Sequence, residues 1–138
     1  MKKFKSKIGM EFTIPLGGIL IFTLISVITA KAWIGLVIVS LVIIFVTHLF
    51  ATTEYTISNQ NLNVKSGFII NQNINISSIR KLTETNNLLS SPATSIDRIE
   101  ILYNKFDTIL VSPKDKTKFI TNLTEINKNI EVKLKSKT

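Results

Sequence analysis

The 138-residue sequence contains no cysteine and only one histidine. The absence of cysteine excludes disulfide bonds, thiolate zinc sites, iron–sulfur clusters and a cysteine nucleophile. Glycine is also scarce, and its five residues form neither a phosphate-binding loop nor a nucleophile elbow. We therefore predict that the protein is not an enzyme and that it binds no cofactor and no metal.

Charge is almost absent between Phe12 and Ala51, where Lys31 is the only formally charged side chain. A single helix over about 40 residues would be about 60 Å long, roughly twice the hydrocarbon thickness of a bilayer. We therefore expect two crossings, with the turn near Lys31 and Trp33, because cations and indole rings both favour the headgroup region. The predicted transmembrane helices cover residues 12–30 and 33–51.

Two other interpretations of this apolar half are weaker. A buried hairpin of a soluble protein would carry a polar stripe, whereas each half of this segment is apolar around its whole circumference. A cleavable signal peptide would also begin with lysines, but the second span argues against it.

The N-terminal residues 1–11 form a basic arm that predicts the topology. By the positive-inside rule its lysines keep the N-terminus in the cytoplasm, and two crossings return the rest of the chain to the same side. We expect a multi-pass protein of a bacterial inner membrane with both termini cytoplasmic. The lysines of the C-terminal helix and tail, together with those of the arm, are interpreted either as a solvated basic face or as headgroup-facing residues. The candidate headgroup-facing residues of the arm are Lys2, Lys3, Lys5 and Lys7.

After Ala51 the pattern changes to short segments that are rich in β-branched residues and separated by Asn, Gly, Ser and Asp. They predict a mostly β soluble domain over residues 52–138. The strands are expected at residues 54–57, 62–65, 68–76, 79–84, 98–103, 108–111 and 130–134.

A helix is predicted after the strand at residues 108–111. Ser112, Pro113 and Asp115 have the pattern of a helix N-cap, first position and capping box. The helix is expected to cover one end of the sheet with Phe119, Ile120, Leu123 and Ile126 and to point Lys114, Lys116, Lys118 and Lys128 outward.

Several short sequences in this half carry a family resemblance. They are residues 55–57, 62–67, 76–79, 90–101 and 109–115, and the most specific is Ser-Pro-Ala followed by Ser-x-Asp-Arg. In these residues the chain resembles the bacterial pleckstrin-homology-like (PH-like) proteins, in particular the YyaB-like group of small membrane proteins, a domain of unknown function. The resemblance implies a transmembrane α-helical hairpin followed by an α+β, mostly β domain, a PH-like barrel capped by a C-terminal helix. It implies no activity.

The loop and strand entry before residue 99 is the candidate site of the soluble half. Its role is either structural, through hydrogen bonds that hold the loop, or ligand binding. Neighbouring strand residues alternate between faces, so we expect Asp97 and Arg98 to point in opposite directions, which disfavours a convergent catalytic site. The candidate residues are Ser90, Ser91, Pro92, Ser95, Asp97 and Arg98.

Taken together, these features favour a non-enzymatic, membrane-anchored binding or scaffolding module that recognises a protein segment or a lipid headgroup. The alternatives are a self-assembling structural membrane protein, an immunity or envelope-stress factor and, more remotely, a hydrolase. The expected partners are the lipid bilayer, a membrane or cytoplasmic protein, and further copies of the chain. Nucleic acid is not expected, because the basic residues are spread along the C-terminal helix and tail without interleaved aromatic side chains, and the membrane anchor already gives a reason for positive charge.

Overall fold

The computed structural model describes residues 1–86 and 95–135. Two long helices come early in the chain, α1 (Met10–Thr29) and α2 (Trp33–Ala51), and a third, α3 (Lys116–Ile126), lies near its end. The strands are β1 (Lys2–Lys5), β2 (Glu54–Ser58), β3 (Asn61–Ser66), β4 (Ile70–Asn75), β5 (Ile79–Thr85), β6 (Arg98–Tyr103), β7 (Asp107–Val111) and β8 (Glu131–Lys133).

Helices α1 and α2 form a hairpin that confirms the two predicted apolar helices. Both are long and apolar enough to cross a membrane, and none of their residues is buried. Lys31 makes the tight turn between them with a left-handed φ of 53°. In water, so many exposed apolar side chains would cost about 25 cal/mol for each Å². This exposure is typical of helices whose solvent is lipid.

The soluble part contains two four-stranded sheets, ordered β1-β2-β3-β4 and β7-β6-β5-β8. All pairings are antiparallel except that of β8, which runs parallel to β5. The mostly β architecture with a C-terminal helix is as predicted. The described strands do not close into a ring, so the predicted barrel is a pair of open sheets.

Strand β1 is the main departure from the predicted architecture. It lies in the segment predicted as a basic arm, and it pairs with β2 in the register Lys2↔Ile57 to Lys5↔Glu54. Because β1 precedes both long helices and β2 follows them, the first sheet joins the two ends of the hairpin. The predicted domain of residues 52–138 therefore receives an edge strand from the other end of the helical hairpin.

The core lies between the two sheets and α3. Alternate residues of the strands point inward, and the two largest fully buried side chains are Tyr55 and Phe119. The ring centroid of Phe119 is 6.1 Å from that of Tyr55 and 5.4 Å from that of Phe4 on β1. Edge-to-face contacts at such distances are favourable for aromatic pairs. Phe119 therefore attaches α3 to both β1 and β2.

The start of α3 corrects the prediction that Ser112 is its N-cap. Helix α3 begins at Lys116, and the side chain of Asp115 accepts a hydrogen bond from the Lys118 amide at 3.1 Å. Before the helix, Pro113 forms a β-bridge with Ser6. The chain is therefore still extended at the position where the local pattern predicts a helical first turn.

The chain between β3 and β4 also differs from its prediction. The strand expected over residues 68–76 covers only Ile70–Asn75, because Gly67 adopts a left-handed φ of 56° and starts a turn that contains Phe68 and Ile69. Glycine adopts this conformation without the steric penalty of a Cβ atom. Two large apolar side chains are thus placed at the tip of a hairpin.

The helix cap gives the first testable prediction. Asp115→Ala should lower the free energy of unfolding by about 1 kcal/mol, because the Lys118 amide loses its partner. Asp115→Asn should recover most of this loss, since the amide oxygen can still cap the helix although the ion pair with Lys118 is gone. Chemical denaturation of the full chain in detergent measures both. Equal stability of the two variants would show that Asp115 acts only through its charge.

Candidate binding surfaces at the membrane junction

A cluster of buried hydroxyl groups joins the N-terminal segment to the domain. The Tyr55 hydroxyl accepts a hydrogen bond from the Ser112 amide at 3.1 Å and lies 3.1 Å from Ser6 Oγ. Ser6 Oγ is also 3.1 Å from Ser112 Oγ. Burial raises the pKa of Tyr55 despite these hydrogen bonds, so its hydroxyl stays protonated at neutral pH. The cluster therefore connects the end of β1, strand β2 and the approach to α3.

The entry of β6 packs on the first turn of α1. Ser95, which is fully buried, donates its hydroxyl hydrogen bond to Glu11 Oε1 at 2.8 Å, and the Ile96 amide donates to the same oxygen at 3.0 Å. A carboxylate in the first turn of a helix is also favoured by the helix dipole. Glu11 thus links the soluble domain to the start of an apolar helix.

Arg98 strengthens the same junction. Its side chain is buried, its Nε donates to the Ser95 carbonyl at 2.6 Å, and its guanidinium carbon lies 5.7 Å from the centre of the Phe12 ring. This distance suits a cation–π contact. Arg98 contacts Phe12 of α1, whereas its neighbour Ile99 belongs to the hydrophobic core, so both residues are buried.

Asp97 belongs to a chain of ion pairs at the edge of this junction. Lys7 Nζ is 3.1 Å from Asp97 Oδ2, and the Lys116 ammonium group contacts both Asp97 and Glu84. Burial opposes ionisation of Asp97, but hydrogen bonds from Lys116 and Lys7 outweigh it and lower the pKa of Asp97. The hydrogen bond from Lys116 likewise lowers the pKa of Glu84. Lys116, which we predicted to point outward, is therefore a partly buried bridge.

A basic groove lies between β1 and the start of α3. In β1, Phe4 packs inward on the core, so Lys3 and Lys5 point away from it. The Lys114 amide donates to the Lys5 carbonyl at 3.0 Å, which brings the lysines of the two segments together. Five lysines and one aspartate line the groove: Lys3, Lys5, Lys114, Lys116, Lys118 and Asp115. Its excess of positive charge suits an anionic ligand.

The residues predicted from the sequence have different surroundings. Ser90, Ser91 and Pro92 lie outside the described residues, whereas Ser95, Asp97 and Arg98 meet at the junction with α1. Of the four predicted headgroup-facing lysines, Lys3 and Lys5 line the basic groove. The other two make intramolecular contacts, Lys2 with the Asn122 side chain and Lys7 with Asp97.

Sequence reasoning missed the strand at Lys2–Lys5 and the role of Glu11. The Lys-Phe-Lys alternation at residues 3–5 was the available signal for a strand with a basic outer face. Glu11 offered no such signal, since its partners are more than 80 residues away. Within the described ranges, no group of three or more His, Cys, Asp or Glu residues could hold a metal ion.

The comparisons with known proteins identify the domain. A family model described as "Bacterial PH domain" matches residues 53–127, more than half of the chain. No curated protein and no solved structure gives a significant match. The matched segment begins one residue before β2 and ends one residue after α3.

The ion pairs of Lys116 predict a dependence of stability on pH. Because the folded-state pKa values of Asp97 and Glu84 are lowered, their contribution is present above their unfolded pKa values, about 4. It is lost as the pH falls through the lowered folded values. Lys116→Met should therefore reduce stability at neutral pH by at most about 1 kcal/mol, since the carboxylates keep solvent contact. In this variant the free energy of unfolding should also fall less steeply as the pH is lowered into the acidic range.

Denaturation of the full chain in detergent between neutral pH and about pH 3 covers the range in which carboxylates titrate. Lys128→Met is the matched control, because Lys128 is exposed and follows α3 in the chain. An acid limb that is equally steep in the Lys116 variant and in the native chain would contradict a bridging role for this lysine.

Proposed function

The chain belongs to the bacterial PH domain family, and from this membership and its two apolar helices we propose a non-enzymatic, membrane-anchored binding module. Its domain recognises an anionic lipid headgroup at the inner face of a bacterial membrane. The observation that carries this proposal is the basic groove between β1 and α3. Membership supports a non-enzymatic role, because PH domains are generally binding modules.

The pairing of β1 with β2 supports the topology. It hydrogen-bonds residues that precede both helices to residues that follow them, so an even number of crossings is the consistent arrangement. The side that carries β1 also carries Lys2, Lys3, Lys5 and Lys7, whereas Lys31 is the only charged residue at the opposite turn. By the positive-inside rule, this asymmetry favours a cytoplasmic domain and cytoplasmic termini.

The position and charge of the groove support a headgroup ligand. Lys5 precedes the first residue of α1 by five positions, so the connecting chain spans at most about 18 Å. Within the described part of the chain, Lys3, Lys5 and Lys114 form no ion pair, so their ammonium groups are open to a ligand. A lysine close to an anionic bilayer surface contributes about 1 kcal/mol to binding.

The topology is tested with reporters in the full chain. Fusions at Met1 and at Thr138 should both report cytoplasm, and an insertion after Lys31 should report the opposite side. A signal for opposite sides from the two terminal fusions would contradict the hairpin. A periplasmic signal from both would reverse the proposed orientation but leave the even number of crossings intact.

The ligand class is tested by titrating the full chain, in a neutral detergent, with short-chain phosphatidylglycerol or phosphatidylcholine. Calorimetry should detect binding of the anionic lipid in preference to the zwitterionic one. Replacing Lys3, Lys5 and Lys114 together by Gln should raise the Kd about a hundredfold, because three contributions of about 1 kcal/mol are lost and each 1.4 kcal/mol is a factor of about ten.

A second triple variant controls for net charge. Lys105, Lys128 and Lys133 are exposed and lie outside the groove, and replacing them by Gln removes the same three charges. This variant should bind nearly as well as the native chain. Equal weakening of both triple variants would indicate a diffuse charge effect and contradict a defined groove. Equal affinity for the two lipids would contradict an anionic ligand.

A further inference from the structure

The turn between β3 and β4 exposes two adjacent apolar side chains. The exposed fraction is 77% for Phe68 and 61% for Ile69. At about 25 cal/mol for each Å² of apolar surface, hydrating both side chains is unfavourable. A pair of large apolar residues at the tip of a hairpin is typical of a surface that meets another apolar phase.

The turn lies beside the end of α2. The ring of Phe68 is 6.2 Å from that of Phe45 and 5.8 Å from that of His48, measured between centroids. Phe45 precedes Ala51, the last residue of α2, by six positions, which corresponds to about 9 Å along a helix axis. Phe68 is therefore level with the last two turns of an apolar helix.

Contacts between the end of β3 and the end of α2 hold the turn beside this helix. The Thr53 hydroxyl donates to the Leu49 carbonyl at 2.8 Å and lies 2.9 Å from Ser66 Oγ, so the end of β3 is tied to the end of α2. A Cβ atom at Gly67 would be 3.8 Å from both Leu49 Cγ and Thr52 Oγ1, which shows how closely the turn approaches the helix.

The surroundings of the turn change from apolar to polar over a short distance. Phe68 contacts the ring of Phe45, and it also lines a pocket together with His48, Glu54 and Lys65. Polar and charged groups at this level suit the headgroup region, while aromatic and aliphatic side chains next to them suit the boundary with the acyl chains. The same order from polar to apolar is found in helices and loops that enter a bilayer from one side.

We propose that the Gly67–Ile69 turn is a membrane-inserting wedge. Phe68 and Ile69 enter the acyl-chain boundary of the bilayer that α1 and α2 cross, and the wedge limits rotation of the domain about its anchor. The occupant of this surface is lipid, because the turn continues the apolar surface of α2 at a depth where lipid surrounds the helix. The inference rests on the proposed membrane crossing of α2.

The test uses tryptophan fluorescence of the full chain in phosphatidylcholine and phosphatidylglycerol vesicles. Every variant carries Trp33→Phe, which removes the only native tryptophan. Phe68→Trp and Ile69→Trp place the reporter in the wedge. Phe106→Trp is the matched control, because Phe106 occupies the turn between β6 and β7 and is 90% exposed. Phe22→Trp reports on the middle of α1.

In vesicles with brominated acyl chains, the tryptophans at positions 68 and 69 should show blue-shifted emission. Bromines close to the headgroups should quench them more than bromines near the bilayer centre. The reporter at position 22 should show the opposite depth preference. The reporter at position 106 should emit at long wavelength and keep its intensity.

The possible results distinguish failure of the wedge proposal from failure of the proposed membrane crossing. Unquenched reporters at both 68 and 69, together with a quenched reporter at 22, would overturn the wedge and leave the proposed anchor intact. Blue-shifted but unquenched emission at 68 and 69 would also overturn it, because the turn would then be covered by protein, such as a second copy of the chain. An unquenched reporter at 22 would overturn both the crossing of α1 and the wedge that depends on the anchor.

Discussion

The pairing of β1 with β2 is the constraint on which the rest of the structure depends. Two chain segments that are separated by the helical hairpin of α1 and α2 pair at one edge of a sheet. The pairing positions Ser6 in the buried hydroxyl cluster, Phe4 against Phe119, and Lys3 and Lys5 beside the start of α3. Without β1, strand β2 would become an exposed edge and the basic groove would lose one wall.

Further contacts hold the domain close to the hairpin. Glu11 and Phe12 at the start of α1 contact the Ser95 to Arg98 segment, while Thr53 and Gly67 pack against the end of α2. Because these contacts involve both helices, they restrict rotation of the domain relative to the hairpin as well as its distance from the hairpin. A headgroup ligand would then meet a groove whose orientation is already established, which lowers the entropic cost of binding. The proposed wedge would likewise restrict rotation of the domain relative to the hairpin.

Predictions from residue periodicity and local sequence patterns were reliable where no tertiary contact opposed them. The long apolar helices and most strands follow from apolar runs and from the alternation of β-branched residues, and their observed ends lie within about two residues of the predicted ones. The helix-capping pattern gave a wrong prediction at Ser112, whose sequence context favours an N-cap. There the hydrogen bonds with Ser6 and Tyr55 keep the chain extended, and Asp115 caps the helix instead.

The sequence by itself determined the two long apolar helices, the mostly β domain and its family, because these depend on composition, periodicity and short motifs. Only the tertiary structure decided that the basic arm contains a strand, that Lys116 bridges two carboxylates and that Phe68 lies beside α2. Each of these features joins residues that are distant in the chain. Local propensity does not encode which distant segments meet, because that choice depends on how the sheets, α3 and the hairpin pack together.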